Sequence, residues 1–251
     1  MKRPGVVSAA IVIGCILALE VASRYGFIRR SVIPAPSEIV STLYGLLKNG
    51  TYNEAIRLTL SNIAIAGLIS TVLGFILGVI IHANDFLRRG VEPFLVSYYA
   101  VPTFIFYPVL VVIFGVGSAA IISIAVLMSV VAMITATLNG LDRLPPAFPR
   151  TARVFQMSPM STALLVTLPA TAPYLFTGMR LVISYSFIGV IASEFILAGE
   201  GLGYSISYTY NNFENSKMFA LMLFIILVVG VINSILNRID RRLMQRLQRG
   251  D

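Results

Sequence analysis

Six long apolar runs constrain this chain more than any other feature. They occupy residues 6–22, 58–81, 94–114, 118–138, 172–198 and 218–236, and four of them contain no charged residue. A helix of about 20 residues crosses the hydrocarbon of a bilayer, and each run is close to that length. In hydrocarbon every backbone N–H and C=O must be satisfied within the structure, so apolar runs this long fold as helices. The expected fold is an all-α polytopic membrane protein with six transmembrane helices, in one transmembrane domain over residues 1–251. Composition agrees: 12% of residues are charged and mean hydropathy is +0.86, whereas a soluble domain carries about 25% charged residues.

The first run follows Met1-Lys2-Arg3 and has the basic start of a signal peptide. Glu20 and the lack of a small-x-small cleavage site favour a retained span. Cys15 stands alone, so no disulfide framework is expected. His82 is the sole histidine and is expected at an interface rather than on a metal.

Charge orients the spans. With the N-terminus inside, Lys2, Arg3, Arg88, Arg89, Arg143, Arg150, Arg153, Arg238, Arg241, Arg242, Arg246 and Arg249 are cytoplasmic. Arg24, Arg29, Arg30, Lys48, Arg57 and Lys217 are outside, and Arg180 lies near a span end. The two-to-one bias places both termini in the cytoplasm, including a basic tail at 237–251. The high pI thus reports topology and attraction to anionic lipid, and no nucleic-acid partner is expected.

This orientation makes residues 139–171 a long cytoplasmic loop. Pro145, Pro146 and Pro149 stiffen its start. Phe148, Ala152 and Phe155 then fall at helical spacing on one face, with Arg150, Arg153 and Gln156 as a polar stripe. Pro159 is expected to end that helix, and a second short piece should run from Met160 to Thr167. An amphipathic segment of this kind admits two readings, a surface lying on the membrane or a helix docked in a partner's groove.

Spacing separates them. Permease subunits of binding-protein-dependent ABC importers carry a loop motif E-A-A, three residues, G, nine residues, I-x-L-P. On this chain Arg150-Thr151-Ala152, Gln156, Val166 and Leu168-Pro169 fall at those positions without a gap. "IPAPSEIV" (33–40), Pro102 with Pro108, "FGVG" (114–117), "LPATAPYLFTGMRL" (168–181), "IASEFI" (191–196) and "GLGYSI" (201–206) follow in the family's order. Over about residues 31–240 the chain resembles the nitrate/sulfonate/taurine branch of these permeases.

The resemblance implies a type I ABC importer permease-like fold in the bacterial inner membrane. It implies a non-catalytic subunit, with ATP and Mg bound by a partner, since this chain has no G-x-x-x-x-G-K-[ST] phosphate loop. Implied partners are two ATPase subunits, a second permease chain as a homodimer, a periplasmic or lipid-anchored solute-binding protein and the lipid bilayer. Arg150, Thr151, Ala152, Arg153, Val154, Phe155, Gln156, Met157, Ser158 and Pro159 become the ATPase-coupling segment, with residues 152–159 as its helix and Phe155 and Met157 as anchors. Gln156 replaces a glycine and must either continue the helix or meet its partner differently. Arg150 replaces an acid at the expected helix start, where the dipole prefers a negative group.

Elsewhere Asn62, Ala66, Ser70, Gly74 and Gly78 recur every four residues, a small-residue seam for packing within the chain or between subunits. Pro102 and Pro108 should kink the third span. Tyr99 and Phe104 there, and Glu194 in the fifth span, are candidates for the pathway or gate. No basic residue marks a mid-membrane anion site. The branch suggests a small anion such as a sulfonate, taurine or nitrate, while related permeases carry riboflavin, pyrimidine precursors or aromatic acids. A secondary transporter would show repeated halves, and a scaffold would have no tie to ATP hydrolysis.

Overall fold

The structure is a computed structural model that describes residues 4–248, with side chains described at Val7 and from residue 10 to 240. The tail expectation and much of the inside charge count therefore fall outside the described residues: Lys2, Arg3 and Arg249, and the side chains of Arg241, Arg242 and Arg246. Every described element is helical. In chain order they are α1 (Pro4–Arg24), α2 (Pro36–Asn49), α3 (Asn53–Ala83), α4 (Asp85–Ser97), 3-10 turns at Tyr98–Ala100 and Thr103–Phe106, and α5 (Tyr107–Phe114). Then come α6 (Ser118–Asp142), α7 (Ala147–Val154), α8 (Pro159–Thr162), a π-helical turn at Ala163–Thr167, α9 (Leu168–Leu197), α10 (Leu202–Asn211) and α11 (Asn215–Gln248).

Four stretches are long and apolar enough to cross a membrane: Asn53–Ala83, Ser118–Asp142, Pro159–Leu197 and Asn215–Asp240. The first apolar run is helical over the 21 residues of α1. The third expected span differs from a kinked helix. Asp85–Ala100 and Thr103–Phe114 meet at 97°, because Pro102 offers no N–H and forces the residue before it out of helical geometry.

The chain forms two units, one of residues 1–58 with 194–231 and one of residues 59–193 with 232–251. In the second, α6 is the central helix, with 56% of its apolar window buried. The α3 seam lies against α6: Ser70 Oγ is 2.7 Å from Ser129 Oγ. A Cβ on Gly74 would fall 2.6 Å from Met133 Cβ, and one on Gly78 2.6 Å from Thr137 Cβ. Those pairs rise together, so α3 and α6 run parallel. On α6's other side Gly178 meets Ala136 and Gly189 meets Ala125, so α9 runs antiparallel. Ser186 Oγ donates to Ser129 Oγ at 3.4 Å, joining all three helices through fully buried hydroxyls. Close approach needs small residues, and the seam supplies them. Within this chain the seam packs α3 on α6.

In the first unit, Leu202, Ile206 and Leu221 form a core with Tyr52, Ile56 and Phe224 against it. Glu194 is fully buried in this unit. Gly203 N–H donates to its Oε2 at 3.1 Å, and Gly201, at φ +101°, leaves room for the carboxylate that any Cβ would strike at 2.4 Å.

Candidate functional site

The loop between α6 and α9 is held by a rigid stem in the second unit. At its start, Arg88 Nη1 and Nη2 donate to the two oxygens of Asp142 at 2.7 and 2.6 Å, and His82 Nδ1 lies 3.2 Å from the same carboxylate. The last turn of α3, the first turn of α4 and the last residue of α6 thus share one ionic node. Next to it the Arg143 guanidinium lies 5.6 Å from the Tyr174 ring centroid on α9, an arrangement that is favourable through the ring quadrupole. Gly140 lets Tyr174 and Thr171 approach, at 3.1 and 3.3 Å from where its Cβ would be. Farther along, Arg180 lies 3.9 Å from Asp240 of α11.

Outward from the stem, Pro145-Pro146 leads into α7. The helix is two turns long and ends at Val154, not at Pro159. Its end is a Schellman motif: Gln156 N–H donates to Arg153 O and Met157 N–H to Ala152 O, each at 3.0 Å. Gln156 takes the left-handed conformation, φ +51°, which such a motif requires of the residue after the cap. The position thus keeps the backbone of the family glycine while carrying a side chain. It neither continues the helix nor abandons the turn.

Other expectations on this segment also shift. Arg150 is the fourth residue of α7 rather than its start, at the edge of the first turn, where the dipole opposes a cation less. Arg153 sits in the last turn, where a cation is favoured. Ala152 is the one buried residue of α7, and α7 packs on the π turn. Met157 is half-buried, and Phe148, Arg150, Thr151, Arg153, Val154, Phe155 and Gln156 are exposed. Phe155, 74% exposed, is thus available as an anchor, and Val154, at 80%, joins it. Ser158 and Pro159 begin the next helix instead: Ser158 Oγ accepts from Ser161 N–H at 3.2 Å and Pro159 is the first helical residue. Pro169 does not break the chain's path, since the helix continues from Pro159 to Leu197. The wider π turn ends at Thr167, two residues before Pro169, where an α-helix would lose a hydrogen bond.

The pathway candidates Tyr99 and Phe104 have separate partners. Tyr99 stacks on Tyr185 of α9 with centroids 5.6 Å apart. Phe104 packs on the cluster of Tyr107, Ala120 and Ile124, and Glu194 belongs to the other unit. The ionic node is the element that sequence reasoning missed: Arg88 and Asp142 are 54 residues apart, and only parallel packing of α3 and α6 joins them.

The long apolar helices, the sharply bent helix pair at residues 85–114 and the two-turn loop helix are those of a multi-helix membrane protein. Residues 70–249 match the family described as "Binding-protein-dependent transport system inner membrane component", and the chain belongs to it. It is 28% identical over 173 residues to the nitrate import permease protein NrtB of Leptolyngbya laminosa, covering 69% of this chain and 62% of that protein. A probable ABC transporter permease protein of Haemophilus influenzae is 27% identical over 221 residues, covering 86% of this chain and 88% of that protein. The inward-facing MetNI methionine ABC transporter shares the fold, with TM-score 0.66 and 21% identity over 76% of this chain and 94% of that one.

Proposed function

We propose that this protein is the pathway-forming permease of an ATP-driven importer and that the turn after α7 receives its ATPase. The observation that carries this reading is the exposure of Arg153, Val154 and Phe155 at the end of a short helix whose stem is pinned by Arg88–Asp142 and Arg143–Tyr174. A mobile loop would dissipate a push; a pinned two-turn helix passes it to α6 and α9 as a rigid body. From Arg143 to Ser193 the sequence contains no acid, so the ATPase groove should be apolar with an acidic rim. ATP and Mg belong to that partner.

In this reading two ATPase subunits act on a pair of permease chains, and a solute-binding protein delivers cargo from outside. Both termini and the α7 loop are cytoplasmic, in a bacterial inner membrane. The cargo is a small oxyanion, supported by the nitrate permease relative and by the sequence resemblance to the nitrate and sulfonate branch.

The test is copurification of the tagged chain with its ATPase, followed by ATP hydrolysis in proteoliposomes. Phe155→Ala and Arg153→Glu should each release the ATPase while leaving the permease folded. Retention at wild-type level in both variants would sink the docking assignment. An import assay with labelled nitrate and taurine then decides between cargoes.

A further inference from the structure

A second left-handed turn lies in the other unit, and its apex residue is stranger than Gln156. After α10, Phe213 N–H donates to Tyr210 O at 3.1 Å and Glu214 N–H to Thr209 O at 2.8 Å, the same motif that closes α7. Phe213 sits at φ +58° and is 88% exposed. Glycine fills such a position without strain, whereas a bulky side chain there is a true outlier. Among the described residues the ring lies open, and a bulky residue held in this conformation points to a use outside the chain.

The turn is held firmly. Thr209 is buried, Leu202 and Ile206 sit in the core of this unit, and Gly203 is tied to Glu194. Asn215 Nδ2 donates to Ser31 O, joining the turn to the loop after α1. That loop exposes Tyr25 and Phe27 beside Arg29 and Arg30. Arg29 has no carboxylate partner among the described residues, and Arg30 stands 3.8 Å from Glu38. On a six-span chain the loops after the first and fifth spans share one face of the membrane.

We infer that Phe213, with the Arg29–Arg30 pair on the loop tied to its turn, is the anchor on which the solute-binding protein docks. This rests on the importer reading above. The occupant should offer an apolar pocket for one phenyl ring and an acidic rim for the arginines, since buried aromatic anchors carry most of the binding energy at interfaces. Lipid is a poorer fit. Asn211, Asn212, Glu214 and Asn215 surround the ring in sequence, and Glu214 is ion-paired to Lys217 at 2.9 Å, a setting that demands water.

The experiment uses the full transporter complex in nanodiscs of phosphatidylethanolamine and phosphatidylglycerol, titrated with the purified solute-binding protein. Phe213→Gly removes the ring and relieves the backbone, so thermal unfolding should stay unchanged or rise. The concentration of binding protein for half-saturation should increase about tenfold or more, and Phe213→Tyr should restore most of it. Half-saturation unchanged in Phe213→Gly overturns the proposal. So does a variant whose only defect is lost lipid association or lost pairing with a second permease chain. A wild-type complex that hydrolyses no ATP overturns the importer reading itself, and the docking site with it.

Discussion

The Arg88 guanidinium grips the Asp142 carboxylate with both of its outer nitrogens, at 2.7 and 2.6 Å. Paired forks of this kind fix orientation as well as distance. The pair is about one-third exposed, at 29% and 33%, so its worth to folding is limited by solvent screening. Its position matters more: it joins the corner between α3 and α4 to the last residue of α6, before the α7 loop.

Asp142→Asn should therefore lower stability by only about 0.5–1 kcal/mol, read as a small drop in melting temperature in detergent. Coupling should suffer more, seen as ATP hydrolysis that no longer tracks transport. The exchanged pair Arg88→Asp with Asp142→Arg should recover part of that coupling. A swap no better than either single variant would count against a direct role.

At Gln156 the expectation has the opposite sign. Gln156→Gly should raise stability by about 0.5–1 kcal/mol, because glycine enters the left-handed region without the Cβ penalty. Gln156→Val should destabilise, since a β-branched residue is poorly tolerated there. Thermal melts of the three proteins check the order.

The α3–α6 seam predicts a contrast between glycines. Gly74→Val should cost about 1–3 kcal/mol, since its Cβ alone would meet Met133 Cβ at 2.6 Å and Val130 O at 2.8 Å. Gly45→Ala, with nothing within 4 Å of the new Cβ, should be neutral or stabilising by up to about 1 kcal/mol. Folded yield by size-exclusion chromatography and the melting midpoint separate them.

Glu194 and Gly201 should behave as a coupled pair. Gly201→Ala drives a methyl into the carboxylate, and the positive φ adds strain. Glu194→Ala removes the acceptor of Gly203 N–H but opens that space. The double variant should melt above Gly201→Ala alone, and simple additivity in a double-mutant cycle would refute the contact.

Much of this protein was legible in its residues. Six apolar runs of spanning length announced helices because a bilayer leaves the backbone no other solvent. The four-residue recurrence from Asn62 to Gly78 marked a close-packed face, and the spacing from Arg150 to Pro169 located the loop. These signals are local, since each depends on helical period or chain length alone.

Tertiary structure decided the rest. The 97° break at Pro102 takes its size from the extended backbone at Val101, so a proline by itself announced only a kink. The partner of Ser70 and Gly74 is Met133 and its neighbours on α6, a pairing set by side-chain size across helices far apart in sequence. The left-handed turns at Gln156 and Phe213 contradict residue preference and exist because Schellman bonds close α7 and α10. Arg88 meets Asp142 only because α3 and α6 run parallel. Helix period and hydropathy act along the chain; register, closure and ion pairing act across it, and only the folded molecule brings those groups together.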